Sequence, residues 1–165
     1  MPVNSVSSQP CPIGRAADVL GDRWTLLIMR NAMLGSSRFA QFRQRLEIAD
    51  NILSGRLARL VEAGLLLRVP YTDGRRTRYH YPMTEAGAAL RPVLEALATW
   101  AQVHVHPEDP AAAVRVFHRG CQHLTESGDS CTHCGGALTN SDVSWVMPWL
   151  DAGPLPLASA GGVGD

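Results

Sequence analysis

A mainly α fold with a small β-hairpin, followed by a small cysteine- and histidine-bearing extension, is what this sequence predicts. Three observations carry the expectation. Apolar residues recur at helical spacing through most of residues 11–105, two β-prone runs flank an Asp-Gly turn, and Cys121, Cys131 and Cys134 crowd together with histidines near the end. A chain of 165 residues with 45% hydrophobic content is long enough for one domain with a real core and a small satellite.

Residues 1–10 are polar and Pro/Ser-rich and read as a flexible arm. Residues 11–34 are helical in pattern, with a turn at Gly21 and Asp22, and the second helix is apolar almost all round, as a helix inside a core is. Gly35-Ser36-Ser37 supplies a stop and an N-cap candidate for a short third helix in which Phe39, Phe42 and Leu46 share a face. Its other face carries Arg38, Gln41, Arg43 and Arg45. Asp50 is placed to cap a fourth helix with Leu53, Leu57, Leu60 and Val61 on its buried side, Asn51, Gly55, Arg59 and Glu62 opposite, and Gly64 at its end.

Residues 65–71 and 78–83 read as the strands of a hairpin turning at Asp73-Gly74, with Arg75, Arg76 and Arg78 at the tip. Thr84 is placed to cap a long last helix kinked at Pro92, with Leu90, Leu94, Leu97 and Ala101 forming a heptad-like seam. Trp24 and Trp100, both on helices, belong to the core or to the wall of a pocket. Residues 106–112 read as a linker, 113–144 as the Cys/His extension, and 145–165 as a Trp/Pro/Gly-rich tail.

Fifteen basic residues, all Arg, cancel fifteen acidic ones, but they are not evenly placed. Residues 1–105 hold 13 Arg against 8 acidic residues, and residues 106–165 hold 2 against 7. The surplus sits within residues 38–78, where nine Arg face four acids. Such asymmetry points to a nucleic-acid partner for the first part and an acidic appendage kept away from it. With no long apolar run, and no basic and apolar leader in MPVNSVSSQP, neither a membrane span nor export is expected, which leaves the cytoplasm.

A helix cluster followed by an arginine-tipped hairpin is the order of a winged helix-turn-helix, in which one helix enters the DNA major groove and the wing touches phosphate or minor groove. The recognition helix needs an apolar back, short or polar residues on its front and cations at its rim. Asn51, Ser54, Gly55 and Arg59 are placed near base edges and Arg56 at the flank of the groove, although Ser54 can equally bond the helix backbone and Arg56 can equally form an ion pair. Arg38, Gln41, Arg75, Arg76 and Arg78 are the phosphate or minor-groove candidates.

The same residues carry a family resemblance. Asp22-Arg23-Trp24-Thr25-Leu26-Leu27, Arg38-Phe39 with Phe42, residues 48–65 (IADNILSGRLARLVEAGL) and residues 79–87 (YHYPMTEAG) resemble the HxlR-type winged helix-turn-helix regulators over roughly residues 11–104. The resemblance implies a small bacterial transcription factor that binds paired, palindromic half-sites of double-stranded DNA as a homodimer joined through its terminal helices. Leu90, Leu94, Leu97 and Ala101 are then the expected dimer interface, with burial against Trp24 and Leu20 the alternative. Cys11, before Pro12 at a helix start that favours a thiolate, stands where some similar regulators have a redox-sensing cysteine. A small buried apolar role is the other reading.

His118-Arg119-Gly120-Cys121 and Cys131-Thr132-His133-Cys134 have the layout of two metal knuckles. Two i, i+3 donor pairs, three thiolates and one imidazole, match a structural Cys3His zinc site, with His123 as the substitute for His118 and His133 pointing away. The alternative is a redox dithiol at Cys131 and Cys134, which lacks the usual βαβ surroundings. A zinc-organised protein-interaction module is a third reading. Trp145 and Trp149 are candidates to anchor the tail to the winged domain or to a partner subunit. The candidate groups lie on an Arg-rich face or in a closed metal cluster, so binding rather than enzymatic turnover is expected.

Overall fold

The computed structural model describes residues 10–105 and 113–162; the expected linker at 106–112 and nearly all of the expected arm lie outside the described residues. The first part of the chain forms α1 (Pro12–Leu20), α2 (Arg23–Met33), α3 (Phe39–Leu46), α4 (Asp50–Glu62), β1 (Val69–Asp73), β2 (Arg76–His80), α5 (Glu85–Ala88) and α6 (Arg91–His104). The second forms β3 (Arg115–His118), β4 (His123–Thr125), β5 (Val143–Val146) and β6 (Pro154–Pro156).

Asp22 starts α2 by accepting the backbone N–H groups of Trp24 at 3.0 Å and Thr25 at 3.1 Å, two donors with no partner inside the helix. The helix then runs through the core, and Ile28, Met29 and Met33 are fully buried. Phe42 of α3 and Leu53, Leu57 and Leu60 of α4 complete this core as the periodicity predicts. Burying each such side chain is worth ~1.5–3 kcal/mol before entropy is set against it.

Two expected caps are replaced. Neither Ser36 nor Ser37 caps α3: its N-cap is Arg38, and Gln41 Oε1 reaches back to accept the N–H groups of Ser37 and Arg38, each at 2.9 Å. Asp50 does not cap α4 either. Ala49 holds that position, and Asp50, in the first turn, lies 3.5 Å from Arg43 Nη1. Gly64 ends α4 at φ +71°, as expected.

The hairpin is centred closer to its turn than the β-prone runs suggest. Asp73 pairs with Arg76, leaving Gly74 and Arg75 as a two-residue loop. The outer ends of both expected strands leave the ladder because Leu65, Leu66 and Met83 insert into the core, with a single bridge joining Leu66 to Met83. The long last helix is also corrected. Thr84 does cap it, accepting Gly87 N–H at 3.0 Å, but α5 stops at Ala88 and a new helix begins at Arg91. Pro92 falls in the first turn of α6, where no amide hydrogen is needed, so it marks a boundary instead of a kink. Gly87 is required there, since a Cβ would lie 2.2 Å from the Leu65 carbonyl oxygen.

The extension is a four-stranded antiparallel sheet in the order β4-β3-β5-β6. The boundary expected between residues 144 and 145 therefore runs through β5, and the expected tail supplies half of β5 and all of β6. Trp145 is 2% exposed. Beyond β6 the chain returns to the helical core, where Ala158 N–H donates to Met33 O at 2.7 Å and Gly161 N–H to Met83 O at 2.8 Å. A buried ion pair on α6 joins the two parts. Arg91 and Glu95 meet at 3.0 Å; Arg91 also donates to the carbonyls of Gly128 and Leu138, and Glu95 accepts from Ser127 Oγ and Trp145 Nε1.

The expected seam on α6 divides. Leu90 and Leu94 pack against the core, whereas Leu97 is exposed together with Val93, Trp100 and Val103. Trp100, at 59% exposure, is not a core aromatic. No helix among the described residues is long and apolar enough to cross a membrane.

Candidate nucleic-acid interface and metal centre

α3 and α4 are joined by a tight turn in which Glu47 takes φ +49° and Ile48 is buried, so α4 presents its Asn51, Ser54, Gly55 and Arg59 side to solvent. All four are exposed. Gly55 has nothing within 4 Å of where a Cβ would stand, so packing within the chain does not demand glycine there. Arg56 is held differently: its Nε lies 3.4 Å from Asp22 Oδ1, which ties α4 to the cap of α2. Gln41 has its carbonyl oxygen committed to the α3 cap.

The wing is fixed to α3 at its base. Tyr81 N–H donates to Ser37 O at 2.6 Å, Ser37 Oγ and His80 Nδ1 are hydrogen-bonded at 3.3 Å, and the His80 ring lies 4.2 Å from that of Tyr71. Burial and the nearby Arg38 guanidinium push the His80 pKa down, which disfavours a charged ring at this position. Arg38 lies 5.7 Å from the Tyr71 ring centre. Arg75 sits in the loop, Arg76 opposes Asp73, and Arg78 Nε contacts Asp73 Oδ2 at 2.9 Å. Arg68, stacked 3.7 Å over Tyr79, adds a cation on the same hairpin that sequence spacing did not single out. Its signal was a lone Arg inside the β-prone run of residues 65–71.

The second site draws four residues from distant positions. The donor atoms of His118, Cys121, Cys131 and Cys134 all lie within 4.8 Å of one another. His118 Nδ1 is 3.2 Å from Cys121 Sγ and 3.4 Å from Cys134 Sγ, and Cys121 Sγ is 3.7 Å from Cys131 Sγ. A tetrahedral ion with Zn–S bonds of about 2.3 Å separates neighbouring sulfurs by about 3.8 Å, so the donor set fits such an ion. His123, expected as the substitute, is not among these grouped donors. Its Nδ1 bonds the Cys121 carbonyl at 2.6 Å and its ring stacks on His133 at 3.6 Å.

The two halves of this site repeat one local geometry. Gln122 N–H donates to His118 O at 2.9 Å and Gly135 N–H to Cys131 O at 2.8 Å, and these two donors take φ +61° and +72°. The first knuckle therefore places a non-glycine residue where the second uses glycine. Gly120 and Gly136 make room for the His118 ring, since a Cβ at either would come within 2.9 Å and 3.2 Å of it. Burial raises the Cys131 pKa, but backbone N–H groups of Cys134 and His133 and the Thr125 side chain outweigh it, bringing the thiol to about 5. Burial and hydrogen bonds to Cys131 and Cys134 hold Cys121 above the usual thiol value.

A winged helix-turn-helix with an exposed helix front and an arginine-bearing wing defines the class of helix-turn-helix transcriptional regulators. The description HxlR-like helix-turn-helix matches residues 19–109. The chain belongs to this HxlR-like family, whose members are transcriptional regulators and not enzymes. It is 40% identical over 133 residues to the uncharacterised HTH-type transcriptional regulator Rv3095 of Mycobacterium tuberculosis, covering 80% of this chain and 82% of that one. Among solved structures it is similar to PA1607, described as a candidate transcription factor, with a TM-score of 0.64, 34% identity, and coverage of 81% of this chain and 92% of that chain. The redox regulator HypR in its oxidised form matches with a TM-score of 0.51 and 26% identity, over 57% of this chain and 97% of its own.

Proposed function

We propose that this regulator binds palindromic operator DNA as a homodimer, with α4 in the major groove and the β1–β2 wing on the flanking backbone. The observation that carries this reading is the pairing of an exposed front on α4, formed by Asn51, Ser54, Gly55 and Arg59, with a fully buried back at Leu53, Leu57 and Leu60. Asn suits adenine and Arg suits guanine through paired hydrogen bonds. Arg38, Gln41, Arg56, Arg75, Arg76 and Arg78 surround this front as backbone-positioning groups. Gln41 and Arg56 also hold the scaffold, so their contribution includes fixing the angle between helices.

The dimer is assigned to the exposed side of α6, with Leu97 retained from the expected seam and Val93 and Trp100 added. Leu90 and Leu94 serve the fold of each subunit. Recognition helices of such a dimer stand about 34 Å apart, one turn of DNA, or a multiple of it. A structural Zn2+ held by His118 Nδ1 and the sulfurs of Cys121, Cys131 and Cys134 completes the proposal; bound there, it would stabilise the extension and leave no open position for substrate. A response to oxidants through Cys11 is a second element. Its support is the exposure of Cys11 at the N-terminal cap of α1, which removes the buried-core reading, and the likeness to a redox regulator.

The deciding experiment is an anisotropy titration of the protein against its own upstream intergenic DNA and a scrambled duplex, at two salt concentrations. Tighter, salt-dependent binding to the native fragment is expected. Equal affinity for the two duplexes defeats the operator proposal.

A further inference from the structure

We infer that a cleft between the helical core and the C-terminal extension binds a small organic anion, a carboxylate carrying an apolar body. The cleft has a volume of about 490 Å3 and is lined by Arg30 of α2, Leu34, Arg45 of α3, and Leu150, Asp151 and Leu155 of the extension. Small-molecule sites typically have volumes of about 300–1,000 Å3 and combine an apolar wall with a few convergent polar groups.

Two guanidinium groups share this lining, and among the described residues neither has a carboxylate within 4.0 Å. Among the described residues, Arg30 Nε is buried without a hydrogen-bond partner. Native structures rarely leave a buried donor in that condition, because its lost hydration is not replaced. Among the described residues, Arg45 reaches only the Leu34 carbonyl, at a long 3.4 Å. Burial, together with the charge of Arg45, holds the Arg30 guanidinium below its ordinary pKa, the expected consequence of placing one cation beside another away from water.

Asp151 does not settle this imbalance. Its Oδ1 accepts the Gly153 N–H at 2.8 Å, and one carboxylate against two guanidiniums leaves the lining positive. Arginine pairs match the planar, two-oxygen geometry of a carboxylate. Leu34, Leu150 and Leu155 favour a ligand with an apolar body over a bare inorganic ion. Such an anion would bridge α2 and α3, which precede the recognition helix, to the segment after β5, so its occupancy would bear on how firmly the extension holds the core.

The test uses the full chain with benzoate and octanoate as probes, octanol and benzamide as uncharged controls, and sulfate as the inorganic control, read by titration calorimetry and thermal shift. One site per chain for at least one carboxylate, no binding of its uncharged counterpart, and an affinity at least tenfold weaker in Arg45→Gln are expected. Arg30→Gln should show the same loss; Arg45 is exposed, so Arg45→Gln carries the test if Arg30→Gln does not fold. No heat and no shift with either carboxylate at millimolar concentration overturns the inference. So does unchanged affinity in Arg45→Gln, or sulfate binding as tightly as the carboxylates. The readout is ligand binding, so failure here leaves the operator proposal standing.

Discussion

Arg91 and Glu95, one helical turn apart on α6, form an ion pair 2% and 3% exposed, and each uses its remaining hydrogen-bonding capacity on the extension. The helix proposed to dimerise and the extension that bears the candidate metal site therefore share one buried electrostatic joint. Replacing Glu95 with Ala strands the Arg91 charge and leaves Trp145 Nε1 and Ser127 without their acceptor. A loss of ~3–5 kcal/mol in urea unfolding is expected, with a change in Trp145 fluorescence. The double replacement Arg91→Met with Glu95→Met should recover much of it, because no lone charge remains buried.

Removal of metal should act on the extension first. With about one Zn2+ per chain, a strong chelator is expected to unmask the thiols of Cys121, Cys131 and Cys134 and to loosen β3–β6, while far-ultraviolet helicity from α2–α4 largely persists. Cys134→Ser should reproduce this without chelator. Thiol titration alongside metal analysis checks it, and an equal stoichiometry in the wild type and Cys134→Ser would exclude Cys134 as a ligand.

Asp22 makes stability depend on pH in a defined direction. Burial raises its pKa, but bonds from the Thr25 side chain and backbone, the Arg56 charge and the Trp24 backbone outweigh that and hold the carboxyl below its ordinary 3.8. The stabilisation is therefore fully present above about pH 4 and is lost as the pH falls through the lower folded value. Asp22→Ala should cost ~0.5–2 kcal/mol at neutral pH. The gap between wild type and Asp22→Ala should narrow below pH 4 in parallel unfolding curves.

Base-facing and backbone-facing residues should separate in DNA titrations. Asn51→Ala and Arg59→Ala are each expected to reduce discrimination between operator and scrambled duplex by ~1–3 kcal/mol. Arg75→Ala and Arg76→Ala should weaken both duplexes alike and lower the salt slope by about one counterion each. For Arg56→Ala, lower protein stability should accompany weaker binding, because Asp22 loses its partner.

The two sides of α6 should respond differently to charge. Trp100→Glu or Leu97→Glu is expected to give a folded monomer by light scattering, whereas Leu94→Glu should unfold the subunit. A dimer that survives both exposed substitutions would remove α6 as the interface.

Periodicity made the helical core legible. Leu53, Leu57 and Leu60 repeat at helical spacing, and burial follows directly from that repeat. The grouping of four candidate donors was legible too, because spacing alone brings His118 with Cys121 and Cys131 with Cys134. What escaped depends on tertiary neighbours. Arg91 and Glu95 look like an ordinary surface i, i+4 pair until the extension covers them. Pro154-Leu155-Pro156 carries two residues without amide hydrogens, which a loop and an edge strand share equally, so β6 could not be told from a tail. Gln41 could be read as facing DNA because nothing in its spacing reveals that Ser37 and Arg38 need an acceptor.

The return of the chain after β6 to the carbonyls of Met33 and Met83 gives the molecule an order of assembly. The winged core, α1 to α6, precedes the extension in the chain and can form first as the chain emerges from the ribosome. Two of its acceptors must wait for Ala158 and Gly161, and hence for synthesis of the extension. A nascent or clipped chain that stops before β6 would carry a formed reading head on an unfinished body, with one side of β5 left as an open edge for another strand.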